Sequence, residues 1–171
     1  IRNWWLLWFI SCRKFIEIVG RKQFPAFNYI VPGDISSASF FIALTLLSKN
    51  SEMTIKNINL NPSRVGIIKI LKRMNAKIKI FNKRKYKCEY IGDINIKSTN
   101  NLKSINCPKK LNSSAIDEFL LIFLIAARSK GTSSFKNLNE LNKKESPRLN
   151  IAINFLKMIG IKIIRNNDNI K

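Results

Sequence analysis

The chain has 171 residues, 46% of them hydrophobic, enough for one ordinary domain or two small lobes with a real core, so it is not a disordered segment. Its net charge of +21 suits nucleic acid, an anionic membrane surface or anionic small substrates; a plainer reading is a bias towards Lys, Asn and Ile, since the basic residues are scattered over all predicted elements. With no histidine, and with Cys12, Cys88 and Cys107 forming no CxxC pair, a zinc site is not expected and Ser–His or Cys–His catalysis is excluded; such cysteines fit a reducing, cytoplasmic compartment and small buried thiols.

The head, "IRNWWLLWFISCRK", is unlike the rest of the chain. Its apolar run from Trp4 to Ile10 is seven residues, far below the roughly 20 that span a bilayer, and it would pass for part of a signal-peptide core. The chain starts with Ile and stops at "NNDNIK", where a strand or turn is forming, so it reads as a piece cut at both ends. In "VPGDISSASFF", Pro32-Gly33 marks a turn, and Asp34 or Ser36 caps a helix running from Ser36 to Ser48. Capping accounts for these serines, and no chemistry is assigned there.

A strand, "MTIKNI", leads through a loop to "NPSRVGIIKILKRMNAKIKI". Here Asn61 is the expected N-cap and Pro62 the first helical residue. Ile67, Ile68, Leu71 and Met74 recur at helical spacing, and Asn75 suits the left-handed position that ends a helix, before a strand "KIKI". "IDEFLLIFLIAARSKG" is apolar nearly all round from Phe119 to Ala127, which predicts a buried helix from Ile116 to Ser129, ended by Gly131. After a strand "SSFKNL" comes the charged loop "NELNKKESPRL". The last helix has Ser146 as expected N-cap, Pro147 first, and Leu149, Ala152, Ile153 and Leu156 on one face. Gly160 stops it before a strand "IKII".

The plan helix, strand, loop, helix, turn, strand thus occurs twice. Lys56-Asn57 answers to Lys136-Asn137, and Met74-Asn75 to Ile159-Gly160. The loop from Asn137 to Arg148 is four residues longer than that from Asn57 to Arg64, and the addition holds Lys143, Lys144 and Glu145. A tolerated surface insertion would explain it. The alternative is an anion site: cations placed at a helix N-terminus oppose the helix dipole, and a bound phosphate or carboxylate relieves that conflict. Asp117 likewise has two readings, stabilising the first turn of the apolar helix or forming an acid–base set with Glu145 and Lys144. Glu118 is expected on another face, in solvent.

"VPGDISSASFFIALTLLS", "LNPSRVGIIKILKRMNA", "EYIGDI", "IDEFLLIFLIAARSKGTSSFKNLNELNKKESPRL" and "LKMIGIKI", in that order, resemble the 5-enolpyruvylshikimate-3-phosphate synthase (3-phosphoshikimate 1-carboxyvinyltransferase) family. The similarity runs from about Ile16 to the last residue, roughly two-fifths of a full member. It implies an α/β fold, an inside-out α/β barrel lobe with helices packed inside, of which this chain carries about two βαβαββ repeats. The implied organisation is a non-matching, possibly frame-shifted head (1–14), a lead-in (15–35), a first repeat (36–98) and a truncated second repeat (99–171).

The implied reaction moves the enolpyruvyl group of phosphoenolpyruvate to the 5-hydroxyl of shikimate 3-phosphate, with no metal and no organic cofactor. By position, Asp117 resembles the proton acceptor that also contacts the shikimate ring hydroxyls, and Glu145 its carboxylate partner in proton transfer. Lys144 resembles a lysine that touches shikimate 3-phosphate, and Arg148 the arginine that binds phosphoenolpyruvate. Where the family has Arg-Val-Lys-Glu-Ser-Asp-Arg, this chain has Asn142-Lys143-Lys144-Glu145-Ser146-Pro147-Arg148, which spares those residues. Other substrate motifs of the family lie outside the chain, so the polypeptide alone is expected to be inactive. The resemblance further implies a cytoplasmic, membrane-free monomer with no specific nucleic acid partner. Competing readings are a UDP-N-acetylglucosamine enolpyruvyl transferase relative, a basic nucleic-acid-binding module and a non-catalytic gene remnant.

Overall fold

Isoleucines alternating with Lys, Asn and Thr along much of 52–97 make strands with one apolar face. The computed structural model of the chain, which describes residues 10–12, 15–17, 25–143 and 145–171, pairs them into a sheet. Backbone contacts divide the chain into Ile1–Val31 and Pro32–Lys171. In the first unit β1 (Ile10–Cys12) and β2 (Phe15–Glu17) form an antiparallel hairpin with Ser11 opposite Ile16. Most of the 1–14 head singled out from the sequence lies outside the described residues.

The second unit runs α1 (Ile35–Leu47), β3 (Glu52–Asn59), α2 (Gly66–Arg73), β4 (Lys77–Tyr86), β5 (Glu89–Lys97), α3 (Phe119–Ala127), α4 (Arg148–Met158), β6 (Arg165–Asn166) and β7 (Asn169–Ile170). The sheet is antiparallel in the order β3-β5-β4. Its inner face carries buried Ile58, Ile78, Ile94 and Ile96, while Lys56, Lys77, Lys79 and Lys97 are exposed. Against that inner side pack α1 and α2, and α3 packs on both of them and on α4. Apolar composition on every face is what an inner helix requires. The rings of Phe119, Phe123 and Phe135 stack tilted or edge-on within 5.1–6.1 Å, a favoured aromatic arrangement.

Positions that the sequence pairs between the two copies make similar hydrogen bonds. Asn57 (φ 55°) and Asn137 (φ 59°) both take the left-handed conformation, which asparagine tolerates better than most residues. The Asn57 N–H donates to Asp93 Oδ1 at 2.8 Å, and the Asn137 N–H to Asn169 Oδ1 at 3.0 Å. Just beyond, Leu60 N–H donates to the Tyr90 carbonyl and Leu138 N–H to that of Asp168. Asn75 (φ 65°) and Gly160 (φ 84°) end the second helix of each copy, as expected.

Three local expectations need correction. The second helix of each copy starts at Gly66 and Arg148 rather than at the preceding prolines. Asn61 instead caps a turn that leads into α2: its Oδ1 accepts from the Ser63 N–H at 3.1 Å and its carbonyl from the Arg64 N–H at 2.9 Å. Ser146 makes no side-chain cap; Pro147 takes that position and the Ser146 carbonyl accepts from the Arg148 N–H at 2.7 Å. Secondly, "SSFKNL" and "IKII" form no regular strands, only the bridges Asn106–Ser134 and Phe135–Ile170 and an Ile164–Lys171 pair. A ladder is no longer than its partner, and β7 offers two residues where β5 offers nine. Thirdly, Cys107 is buried as expected but Cys88 is exposed, at the β4–β5 turn beside left-handed Lys87.

Candidate active site

Four helix N-termini supply the charged residues around Asp117. Asp34 caps α1, accepting the Ser37 N–H at 2.8 Å. Arg64 lies in the turn before α2, Asp117 and Glu118 just before α3, and Glu145 and Arg148 at the start of α4. Gly66 lets α2 seat so closely: a Cβ there would meet the Ser114 backbone at 2.5 Å. Ser114 belongs to a short 3-10 turn, Ser113–Ala115, that leads directly to Asp117. Close packing between these segments therefore brings Arg64 beside Asp117.

Arg148 joins the two carboxylates picked out from the sequence. Its Nη1 lies 3.2 Å from Asp117 Oδ1 and its Nη2 3.1 Å from Glu145 Oε2. The side chains of Asp117 and Arg148 are 28% and 27% exposed, whereas that of Glu145 is 85% exposed. Lys144 lies outside the described residues. As the first residue of α4, Arg148 opposes the helix dipole. The two carboxylates offset that conflict, so no bound anion is required to explain it.

Sequence reasoning missed Ser36, Arg64 and the placement of Glu118. Arg64 Nη1 lies 3.5 Å from Asp117 Oδ2, and its Nη2 donates to Ser36 Oγ at 3.0 Å and sits 3.8 Å from Asp34 Oδ1. The Ser36 hydroxyl donates to Glu118 Oε1 at 2.5 Å. The duplication held a signal for Arg64, which falls one residue from the position that matches Arg148 when Met74-Asn75 is aligned with Ile159-Gly160. Glu118 was expected in solvent, yet it is 3% exposed. Asp117 and Glu118 precede the regular helix, Glu118 as its N-cap, and the near-uniform apolar run that follows marks no single buried face from which its direction could be read.

Burial pushes the Glu118 carboxyl above its ordinary value, aided by the charges of Asp117 and Asp34 and opposed by the Ser36 hydroxyl and Arg64. For Asp34, burial also pushes upward, but the Ser37 N–H and hydroxyl, the Ser36 N–H and Arg64 outweigh it and hold the carboxyl below its usual range. The cluster thus combines guanidinium groups, helix N-termini and a partly exposed carboxylate. Such a set can hold an anion and accept a proton from it. Among the described residues, no group of three or more His, Cys, Asp or Glu is placed to hold a metal ion, and no helix is long and apolar enough to cross a membrane.

Comparison with known proteins points one way. The family profile described as EPSP synthase (3-phosphoshikimate 1-carboxyvinyltransferase) matches residues 11–171. A 3-phosphoshikimate 1-carboxyvinyltransferase of Petrotoga mobilis is 39% identical over 147 residues, covering 86% of this chain and 34% of the relative. One from Thermoanaerobacter sp. strain X514 is 40% identical, covering 98% of this chain and 41% of the relative. The crystallised EPSP synthase of Acinetobacter baumannii superposes with a TM-score of 0.83 at 35% identity, over 91% of this chain and 36% of that one. The chain therefore spans between about a third and two-fifths of the length of these relatives.

Proposed function

Because this chain belongs to the EPSP synthase (3-phosphoshikimate 1-carboxyvinyltransferase) family, we propose that it forms part of a site that transfers the enolpyruvyl group of phosphoenolpyruvate to the 5-hydroxyl of shikimate 3-phosphate. The product lies on the route to chorismate and the aromatic amino acids. The observation that carries this reading is the Arg148 guanidinium, which ties Asp117 and Glu145 to one cation at 3.2 and 3.1 Å.

The transfer is an addition followed by an elimination. A proton goes to the methylene carbon of phosphoenolpyruvate, and the 5-hydroxyl loses its proton as its oxygen bonds the neighbouring carbon. The tetrahedral intermediate then expels inorganic phosphate while the new methyl group gives a proton back to a base, restoring the double bond. Asp117 accepts the hydroxyl proton and contacts the ring hydroxyls, and Glu145 is its carboxylate partner. Arg148 binds phosphoenolpyruvate and Lys144 touches shikimate 3-phosphate. Cations beside both substrates offset the repulsion between their phosphates and these acids. The reading takes the protein as a cytoplasmic monomer that needs no metal or organic cofactor.

The 171-residue chain by itself is proposed to be inactive, since it spans about a third of its relatives and the rest of the site must come from elsewhere in the fold. The test splices residues 25–171 into a full-length relative in place of the matching segment. Phosphate release should require both substrates. Asp117→Ala or Glu145→Ala should lower kcat by about 100-fold or more, and Arg148→Ala should raise KM for phosphoenolpyruvate. An Asp117→Ala protein that turns over at the parent rate would sink the proposal.

A further inference from the structure

Arg64 has no part in the roles above, yet it touches Asp117, Ser36 and Asp34. The two arginines contact different oxygens of that carboxylate: Arg64 Nη1 reaches Oδ2 at 3.5 Å, and Arg148 Nη1 reaches Oδ1 at 3.2 Å. Behind this contact, Arg64 Nη2 donates to Ser36 Oγ at 3.0 Å, and the Ser36 hydroxyl donates to Glu118, itself 3% exposed. Asp34 Oδ1, 3.8 Å from Nη2, adds a weaker contact.

We propose that Arg64 is a positioning residue for Asp117: it and Arg148 fix the two carboxylate oxygens separately, and the Ser36–Glu118 pair holds Arg64 in place to do so. The inference rests on the reading of Asp117 as proton acceptor and deepens it.

The terminal torsion of an aspartate is broad and roughly two-fold, so partners on both oxygens orient the carboxylate more firmly than a partner on one. An arginine whose side chain is 47% exposed cannot supply such a contact unaided, because holding it in one geometry costs rotamer entropy. Ser36 provides the anchor. Glu118 orients the Ser36 hydroxyl by accepting its hydrogen, which leaves a lone pair on Ser36 Oγ for the guanidinium. The chain of contacts runs from the interior outwards, from Glu118 to Ser36 to Arg64 to Asp117. It joins the starts of α1, α2 and α3, segments already held together by core packing.

The test has two readouts. On the 171-residue chain with 15N-labelled arginine, a clamped guanidinium rotates slowly and shows separate Nη1 and Nη2 resonances. Those of Arg64, assigned from an Arg64→Lys sample, should be resolved in the parent and averaged in Asp117→Ala and in Ser36→Ala. Averaged resonances in the parent overturn the inference. In the spliced full-length protein, Arg64→Ala should lower kcat roughly 10–100-fold with both KM values within about twofold, as expected for a misplaced catalytic group. Arg64→Lys should recover part of the loss, and Ser36→Ala should add nothing to Arg64→Ala. An inactive Asp117→Ala protein beside a full-rate Arg64→Ala protein overturns this inference alone. An active Asp117→Ala protein overturns the functional reading, and this inference with it.

Discussion

Replacing Glu118 by Gln removes an ionisable group from the helical interior while keeping its shape and its acceptor oxygen. Burial raises the Glu118 carboxyl above its ordinary 4.5, with Asp117 and Asp34 pushing the same way and the Ser36 hydroxyl and Arg64 opposing. The folded chain therefore keeps a proton that the unfolded chain has released. Stability should fall as pH rises from 4.5 towards the raised folded value and level off above it, because the unfolded state binds fewer protons in that window. One proton sets the ceiling at about 1.4 kcal/mol per pH unit, a slope that urea denaturation resolves. Asp34, Glu52 and Asp93 are shifted downward instead, so their contributions are lost on acidification below the ordinary carboxylate range. They are common to both proteins and drop out of the difference. The stability of the parent relative to Glu118→Gln should accordingly decline across the window, and Ser36→Ala should extend the decline to higher pH. Parallel curves for parent and variant would mean that Glu118 ionises as freely in the folded chain as in the unfolded one, refuting its burial.

Gly66→Ala tests the close seating that brings Arg64 to Asp117. A Cβ would meet the Ser114 backbone at 2.5 Å, so the urea midpoint should drop by the equivalent of about 1–3 kcal/mol; a gain, as helix propensity alone predicts, would show that the contact is looser. Burial pushes the Cys107 thiol up to about 11 against the opposing charge of Arg73. In a Cys12→Ser/Cys88→Ser background, a thiol reagent at neutral pH should therefore leave Cys107 unmodified until denaturant is added. Rapid native-state labelling would contradict its burial.

Periodicity and turn chemistry are local, and what depends on them was legible in the sequence. Leu149, Ala152, Ile153 and Leu156 share a buried face because a helix repeats every 3.6 residues whatever lies beside it. Asn75 and Gly160 are left-handed because a helix end demands it, and the asparagine of the repeated Lys-Asn pair is left-handed in both places. Asp117, Glu145 and Arg148 stood out because charge at a helix start is a local feature, whereas the roles proposed for them come from the family resemblance. Strand lengths in the second copy were not legible, since a ladder depends on the partner opposite.

The sequence by itself determined that an acid and a cation stand at the starts of two helices in the second copy, for these are properties of short segments. Tertiary structure decided that Arg64, 53 residues away, grips the same Asp117, and that Ser36, 82 residues away, meets Glu118. Such pairings arise when α1 and α2 pack over one sheet and α3 packs on both, and no spacing along the chain encodes them. Packing also turned Glu118, the N-cap of α3, inward to the Ser36 hydroxyl.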